Sequence, residues 1–125
     1  MDLTNFNLAE KSEEGAELTL VSPAGEELDA KIVLVGKDSP KYRNAFKKII
    51  ERKSVKKQKK IDLDLADRET VELVTACTIS WQNIEEDGVV IEFNAENAKR
   101  IYTEHAWVRE QADEFIGDRA NFLAN

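Results

Sequence analysis

Two alternating runs near the N-terminus constrain the fold most strongly. In AELTLV, apolar residues alternate with polar ones, and LDAKIVLV repeats the same period of two. The residues SPAGEE between them include Pro23 and Gly25, which favour a turn. The pattern predicts an antiparallel β-hairpin over residues 16–35. An isolated hairpin is only marginally stable in water, so its apolar face must cover another part of the chain.

After the hairpin, the apolar residues recur with a helical period. This period predicts helices over residues of about 40–58, 66–83, 95–104 and 107–116. Ser39 and Pro40 suit the start of the first helix, and Asn94 suits the N-cap of the third. Gly117 suits the end of the fourth. Several β-branched residues weaken the second helix, so a strand within VELVTACTIS is the alternative.

Together these elements predict one α+β domain over residues 15–125, in which an N-terminal β-hairpin is followed by a bundle of three to four α-helices. Residues 1–14 lack apolar periodicity and are expected to form a flexible N-terminal arm. A single cysteine excludes an intrachain disulfide and favours a reducing compartment. Because neither a signal peptide nor a membrane-spanning run is evident, a cytoplasmic protein with no membrane partner is expected.

The charge is unevenly distributed along the chain. Residues 41–60 carry ten bases and one acid, although the chain as a whole has a net charge of -7. Such an uneven distribution of charge gives information about the binding partners of a chain and not about its fold. The candidate partner-binding residues in this basic segment are Lys47, Lys48, Arg52, Lys53, Lys56 and Lys57.

The basic segment can have one of three roles. It can be a solvated helix face, a docking surface for an acidic partner, or a nucleic-acid-binding helix over residues 41–60. The acidic remainder of the chain would repel a duplex, and the segment has only two arginines and no interleaved aromatic residues to stack on bases. These features argue against nucleic acid. They favour an acidic protein partner, which includes a second copy of this chain in a homo-oligomer.

The sequence offers no constellation for catalysis. Cys77 and His105 are the only cysteine and histidine, too few for a zinc site. Cys77 falls on the apolar face of its predicted helix, where a thiol is an inert packing group. The glycines are scattered and form no phosphate-binding loop. We therefore expect a protein that is not an enzyme and that has no cofactor or metal.

The C-terminal half contains a set of turn and aromatic positions with a recognisable arrangement. They are Trp81, Asp87-Gly88, Phe93-Asn94, Glu96-Asn97, Trp107 and Gln111. Together with the upstream SPAGEELDAKIVLVGKDSPKYRNAFKK, this arrangement resembles the tail assembly chaperones of long-tailed (siphovirus-type) bacteriophages. The resemblance covers about residues 15–123. One departure is Ala106, which stands where that family has a proline before the second tryptophan.

The resemblance implies a chaperone of virion morphogenesis. Such a protein binds the long, helical tape measure protein in the host cytoplasm and helps recruit tail tube protein around it. It is not expected in the mature virion. The alternatives are a structural head–tail joining protein or other minor tail protein, and a small nucleic-acid-binding regulator.

Three aromatic side chains in this segment are predicted to pack in the core and hold the turns in place: Trp81, Phe93 and Trp107. We call them structural pins. If Trp107 is fully buried, replacing it by alanine should cost roughly 3–5 kcal/mol. A near-wild-type melting curve would instead mark Trp107 as exposed and as a candidate for contact with a partner.

Overall fold

A computed structural model describes residues 1–55 and 62–123. The described chain is a mixed α/β fold with a small antiparallel sheet of three strands, β1 (Ala16–Val21), β2 (Glu27–Leu34) and β3 (Thr78–Gln82). Two further short strands, β4 (Glu85–Glu86) and β5 (Val89–Val90), pair only with each other. Its helices are α1 (Leu8–Glu14), α2 (Pro40–Val55), α3 (Leu63–Cys77), α4 (Ala95–Glu104), α5 (Ala106–Gly117) and α6 (Ala120–Leu123), and a 3₁₀ turn at Leu3–Phe6 precedes α1.

The N-terminal hairpin is present broadly as the alternating pattern predicts. β1 and β2 pair in antiparallel register, with Leu18 opposite Ile32. A third strand, β3, pairs with the other edge of β2 and places Trp81 opposite Ile32. The buried side chains of Leu20 and Leu34 line the inner face of this sheet, against which the helices pack.

The second predicted helix, over residues 66–83, is wrong at its C-terminal end. Helix α3 stops at Cys77, and the backbone becomes extended at Thr78. The following residues form β3, so a strand within VELVTACTIS is right for its last three residues only. Pairing with β2, which is distant in sequence, stabilises the strand, and a local helical period cannot reveal that pairing.

The other helix boundaries lie close to the predicted ones. α4 spans the predicted residues, and α5 extends one residue beyond the prediction at each end. α2 begins at Pro40, with the Ser39 hydroxyl accepting a hydrogen bond from the N–H of Tyr42 at 3.2 Å. The predicted end of α2 near residue 58 lies outside the described residues.

Residues 1–14, predicted as an arm, contain the helix α1 in the structure. Asn7 caps α1 by accepting a hydrogen bond from the N–H of Glu10. The side chain of Ser12 is buried. The backbone carbonyl of Ser12 accepts a hydrogen bond from the backbone N–H of Gly36 at 3.0 Å. α1 also packs against α6. The buried contact of α1 is made by a serine and not by a large apolar residue. The sequence of this segment therefore shows no apolar stripe from which a helix could be predicted.

The centre of the core joins the sheet to α4 and α5. Tyr102 is buried, and its hydroxyl shares a 2.8 Å hydrogen bond with the Thr78 hydroxyl. The carbonyl of Tyr102 accepts a hydrogen bond from the Arg109 guanidinium at 2.8 Å. These bonds satisfy polar groups that would otherwise be costly to bury. Within residues 1–55 and 62–123, no helix is long and apolar enough to cross a membrane.

Candidate functional site

The segment from Trp81 to Trp107 is held together by side-chain contacts with specific backbone groups. The Trp81 indole N–H donates a hydrogen bond to the carbonyl of Ile91 at 2.8 Å. Its ring packs edge-on against Phe93, with centroids 5.2 Å apart, and against Tyr102, at 6.5 Å. Trp81 therefore ties the chain after β5 to the three-stranded sheet.

The turn and the cap in this segment have equally specific geometries. Asp87 and Gly88 both adopt positive φ angles, 50° and 76°, which a tight turn between two short antiparallel strands requires. Asn94 caps α4 by accepting a hydrogen bond from the N–H of Asn97 at 2.7 Å. The Asn97 side chain in turn donates to the carbonyl of Glu92 at 2.9 Å. These polar residues position α4 relative to the turn.

Gln111 closes the outer edge of β1. Its side-chain oxygen accepts a hydrogen bond from the N–H of Val21 at 2.9 Å, and its side-chain nitrogen donates to the carbonyl of Val21 at 2.7 Å. The amide thus pairs with the edge strand as a neighbouring peptide group would. This contact attaches α5 to the hairpin, and it covers an edge that would otherwise be free to pair with another chain.

Replacing Gln111 by alanine is expected to destabilise the protein by about 1 kcal/mol. The loss is modest because Val21 is exposed, so water replaces the lost partners. Urea unfolding followed by circular dichroism measures the effect. The matched control is Gln82→Ala, which removes an exposed glutamine from β3 and should change stability by less than about 0.5 kcal/mol. Equal effects of the two variants would contradict the edge-closing role of Gln111.

Trp107 is half-buried and lines a cleft, so full burial, the condition for a loss of roughly 3–5 kcal/mol, is not met. The cleft has a volume of about 240 Å³ and lies between the hairpin, β4 and the junction of α4 with α5. We call it the acidic cleft. Its apolar lining includes Leu28, Ile84 and Trp107, and its acids are Asp29, Glu85 and Glu86.

Cys77 and His105 have separate structural environments. Cys77 is buried at the end of α3, and burial raises the pKa of its thiol to about 12. The thiol is therefore protonated at neutral pH and is a poor nucleophile. The Nε2 atom of His105, at the junction of α4 with α5, lies 3.1 Å from a carboxylate oxygen of Glu86.

Glu86, Glu104 and His105 form a cluster whose ligand atoms lie within 4.8 Å of one another. The sequence does not suggest this cluster, because Glu86 comes from β4, whereas Glu104 and His105 come from the end of α4 and the residue after it. The Arg100 guanidinium contacts Glu86 at 2.7 Å and Glu104 at 3.0 Å. The guanidinium therefore already contacts both carboxylates and offsets part of their negative charge, which disfavours a metal cation. The hydrogen bonds from Arg100 and His105 lower the pKa of Glu86 to about 2.

This low pKa predicts a pH-dependent contribution of Glu86 to stability. A carboxyl group whose pKa is lower in the folded state stabilises the fold above its unfolded pKa, and the stabilisation is lost as the pH falls through the folded pKa. The stability difference between wild type and Glu86→Gln should shrink as the pH falls from about 4.5 to about 2. Denaturant unfolding at several pH values measures it. A difference independent of pH would contradict the ion pair.

The basic segment divides into two groups in the structure. Arg52 pairs with Glu72 of α3, with Nη1 and Oε1 3.1 Å apart, and Lys53 pairs with Glu69 at 3.1 Å. These two predicted partner-binding residues therefore attach α2 to α3. Lys47 and Lys48 are exposed on α2, without an ion pair to any residue in the described ranges. Lys56 and Lys57 lie outside the described residues.

A row of apolar side chains on α2 lines a hollow of about 710 Å³, whose lining also includes the acids Asp38 and Glu51. Tyr42, Phe46 and Ile50 follow one another at intervals of four residues, so they lie on one side of the helix. Phe46 is 46% exposed and Ile50 is 48% exposed. The Phe46 ring stacks on Tyr42, with centroids 5.9 Å apart, which holds it in a defined position. Arg43 and Lys47 line the same hollow.

A second concave surface, the α3–α4 groove, runs between the outer sides of α3 and α4. It has a volume of about 650 Å³. Among the described residues that line it, five have short side chains and five are charged. The short ones are Val71, Thr75, Ala76, Ala95 and Thr103, and the charged ones are Arg52, Arg68, Glu72, Glu96 and Lys99. The sequence shows no sign of this groove because the two helices that form it are separated by β3, β4 and β5.

Comparisons with protein-family models, curated proteins and solved structures give no match to this chain.

Proposed function

We propose that this chain is a non-enzymatic tail assembly chaperone of the type that residues 15–123 resemble. In this role it binds the tape measure protein in the host cytoplasm and keeps it soluble. It also helps recruit tail tube subunits during tail morphogenesis and is absent from the mature virion. The observation that carries the proposal is the α3–α4 groove, which suits a helical partner.

The groove supports a helical client on steric grounds. A helix that docks between two others must approach them to an axial separation of about 8–10 Å, which short side chains at the contact allow. Ala76 and Ala95 provide such positions from the two sides of the groove. An amphipathic helix would place its apolar side on this floor. The tape measure protein that the resemblance implies is long and helical, so it presents many such segments.

The charges along the groove provide the means to select a register. Arg68 lies on α3, and Glu96 and Lys99 lie on α4. Charges of both signs at the edge of an interface add little affinity but disfavour misplaced partners. A long client with a repeating charge pattern would therefore bind several copies in a defined alignment.

The chemistry of the remaining residues supports a binding role. Burial raises the pKa of the Cys77 thiol to about 12, the Glu86 carboxylate forms an ion pair with Arg100, and the Nε2 atom of His105 lies 3.1 Å from the same carboxylate. Cys77 is thus engaged in packing, and His105 contacts a carboxylate that Arg100 already pairs with. Pairing of Arg52 and Lys53 with acids of α3 also lowers the positive charge available for phosphates, which favours a protein partner over nucleic acid.

Co-expression with a fragment of the tape measure protein tests the proposal. The fragment is expected to be insoluble alone and to become soluble and co-purify with this chain. A fragment that stays insoluble and unbound would refute the chaperone role. Detection of this chain in purified particles would support a head–tail joining or minor tail protein instead. A gel shift that survives about 200 mM salt would support the nucleic-acid regulator.

A further inference from the structure

The hollow beside α2 exposes large apolar side chains to solvent. We call it the α2 hollow; its volume is about 710 Å³, and its apolar lining is formed by Tyr42, Phe46 and Ile50. Phe46 and Ile50 are each nearly half exposed. An apolar cavity of about 150 Å³ accommodates a benzene molecule, so a hollow of this size accommodates several side chains of a partner. Its concave shape suits a projecting element of another protein and not a flat bilayer.

The charges of the α2 hollow favour an acidic partner. Asp38 and Arg119 both line it, and they pair with each other, with Nε of Arg119 2.8 Å from Oδ2 of Asp38. The other charged side chains among its described lining residues are those of Lys37, Arg43, Lys47 and Glu51. Three bases therefore lie beside one acid, although the chain has a net charge of -7. The hollow is a locally positive surface on an acidic protein, so it is complementary to acids on a partner.

Two of these bases form a row beside the apolar row. At about 100° per residue, Arg43 follows Tyr42, and Lys47 follows Phe46, by the same angle around the axis of α2. Arg43 and Lys47 are four residues apart, about 6 Å along that axis. Neither has an ion pair with any residue in the described part of the chain. A partner helix lying along α2 would meet them with two acids that are also four residues apart.

We propose that the α2 hollow is a second docking site, which binds an acidic amphipathic helix of a partner protein. The apolar stripe of that helix covers Phe46 and Ile50, and the acids beside the stripe pair with Arg43 and Lys47. Among the described residues, none lines both this hollow and the α3–α4 groove, so the two sites do not compete for the same side chains.

An acidic helix fits this site better than nucleic acid does. Bases bind such surfaces by stacking on aromatic rings. The Phe46 ring is already stacked on Tyr42, at an interplanar angle of 9°, so one of its faces is occupied. Ile50 supplies apolar surface without a ring on which a base could stack. A leucine-rich helix stripe covers both side chains.

The test uses the full chain and three fluorescently labelled synthetic peptides. The first is an amphipathic helix with a leucine stripe and glutamates four residues apart beside it. The second has glutamine, and the third lysine, in place of each glutamate. Fluorescence anisotropy measures their affinities without any client. The glutamate peptide is expected to bind, and the other two should bind at least about tenfold more weakly. High salt should weaken binding of the glutamate peptide.

Matched variants locate the binding surface. Lys47→Glu should weaken binding of the glutamate peptide at least about tenfold, because it opposes like charges. Lys48 is exposed but lies about 200° around the helix axis from Phe46, so Lys48→Glu should change the affinity less than about threefold. Phe46→Ala should weaken binding at least about fivefold. Leu63→Ala, at a position on α3 that is 74% exposed and does not line the hollow, should have little effect. Circular dichroism confirms that each variant folds.

Several results would overturn the proposal. They are no binding of the glutamate peptide, equal affinity for the glutamate and glutamine peptides, and equal effects of Lys47→Glu and Lys48→Glu. Light scattering that shows loss of self-association in Phe46→Ala would assign the hollow to a second copy instead. Binding of a single-stranded oligonucleotide that survives about 200 mM salt and is lost in Lys47→Glu would assign it to nucleic acid.

These measurements are independent of the proposed function. They use no tape measure fragment, so failure to bind the glutamate peptide would remove the second docking site and leave the chaperone role in place. Failure to solubilise the fragment would remove the chaperone role and leave the docking site in place.

Discussion

Replacing Trp81 by alanine is expected to lower the free energy of unfolding by about 2–3 kcal/mol, less than the 3–5 kcal/mol of a fully buried tryptophan, because Trp81 is half-buried. The indole packs edge-on against Phe93 and Tyr102 and donates a hydrogen bond to the carbonyl of Ile91. Its removal leaves a cavity beside the buried Tyr102 and an unsatisfied carbonyl after β5. The segment from β3 to the start of α4 would therefore lose its main contact with the sheet.

Trp81→Phe is the matched variant for this prediction. It keeps an aromatic ring but removes the N–H donor, so it should cost about 1–2 kcal/mol. Urea unfolding followed by far-ultraviolet circular dichroism measures both variants, because tryptophan fluorescence changes with the substitution. Trp107→Ala should cost less than Trp81→Ala, because Trp107 lines the open acidic cleft. A loss below about 1 kcal/mol for Trp81→Ala would contradict the role of Trp81 as a structural pin.

Replacing Phe122 by alanine is expected to destabilise the protein by about 3–5 kcal/mol, although Phe122 lies near the C-terminus. Its side chain is 1% exposed and packs edge-on against Phe115, with centroids 5.6 Å apart. A Cβ atom added at Gly36 would lie 2.9 Å from its ring, so Gly36 provides space for Phe122. Phe122 thus joins α6 to α5 and to the segment after β2.

The neighbouring residue supplies the control for Phe122. Leu123 belongs to the same short helix but is 36% exposed, so Leu123→Ala should cost about 1 kcal/mol or less. Thermal unfolding by calorimetry compares the two variants. Gly36→Ala should also destabilise, by about 1–3 kcal/mol, because the added methyl group meets Phe122 and Ser12. Similar melting temperatures for Phe122→Ala and Leu123→Ala would show that α6 is not docked through Phe122.

Local sequence patterns predict the hairpin, α4 and α5 well, because each element carries its own evidence. The alternation in β1 and β2 defines a face, and the turn residues between them define a reversal. Asn94 marks the start of α4 because its side chain caps the first turn. These interactions join residues that are close in sequence, so they are visible without a structure.

Two elements depend on contacts between distant residues, and sequence patterns miss them. β3 follows α3 directly and is stabilised by pairing with β2, where Thr78 lies opposite Leu34. α1 has almost no apolar stripe and is held through Ser12, whose backbone bonds to Gly36. Neither contact leaves a periodic signal in its own segment.

The candidate surfaces illustrate the same limit. The run of basic residues is plain in the sequence, but the pairing of Arg52 and Lys53 with α3 is not. The acidic cleft and the α3–α4 groove each combine residues from elements far apart in the chain. The helical period places Ala45, Phe46, Ile49 and Ile50 on a single apolar stripe. In the structure Ala45 and Ile49 are buried, whereas Phe46 and Ile50 are exposed.

The central claim is that the α3–α4 groove binds a helix of the tape measure protein. It is tested most directly by filling the groove with a large side chain. Ala76→Trp places a large side chain in the groove, and Ala66→Trp places the same side chain on an exposed position of α3 that does not line it. Each variant is co-expressed with the tape measure fragment, and the amount of fragment that co-purifies is compared with wild type. The account predicts at least a tenfold loss for Ala76→Trp and little change for Ala66→Trp. Undiminished capture by Ala76→Trp would contradict it.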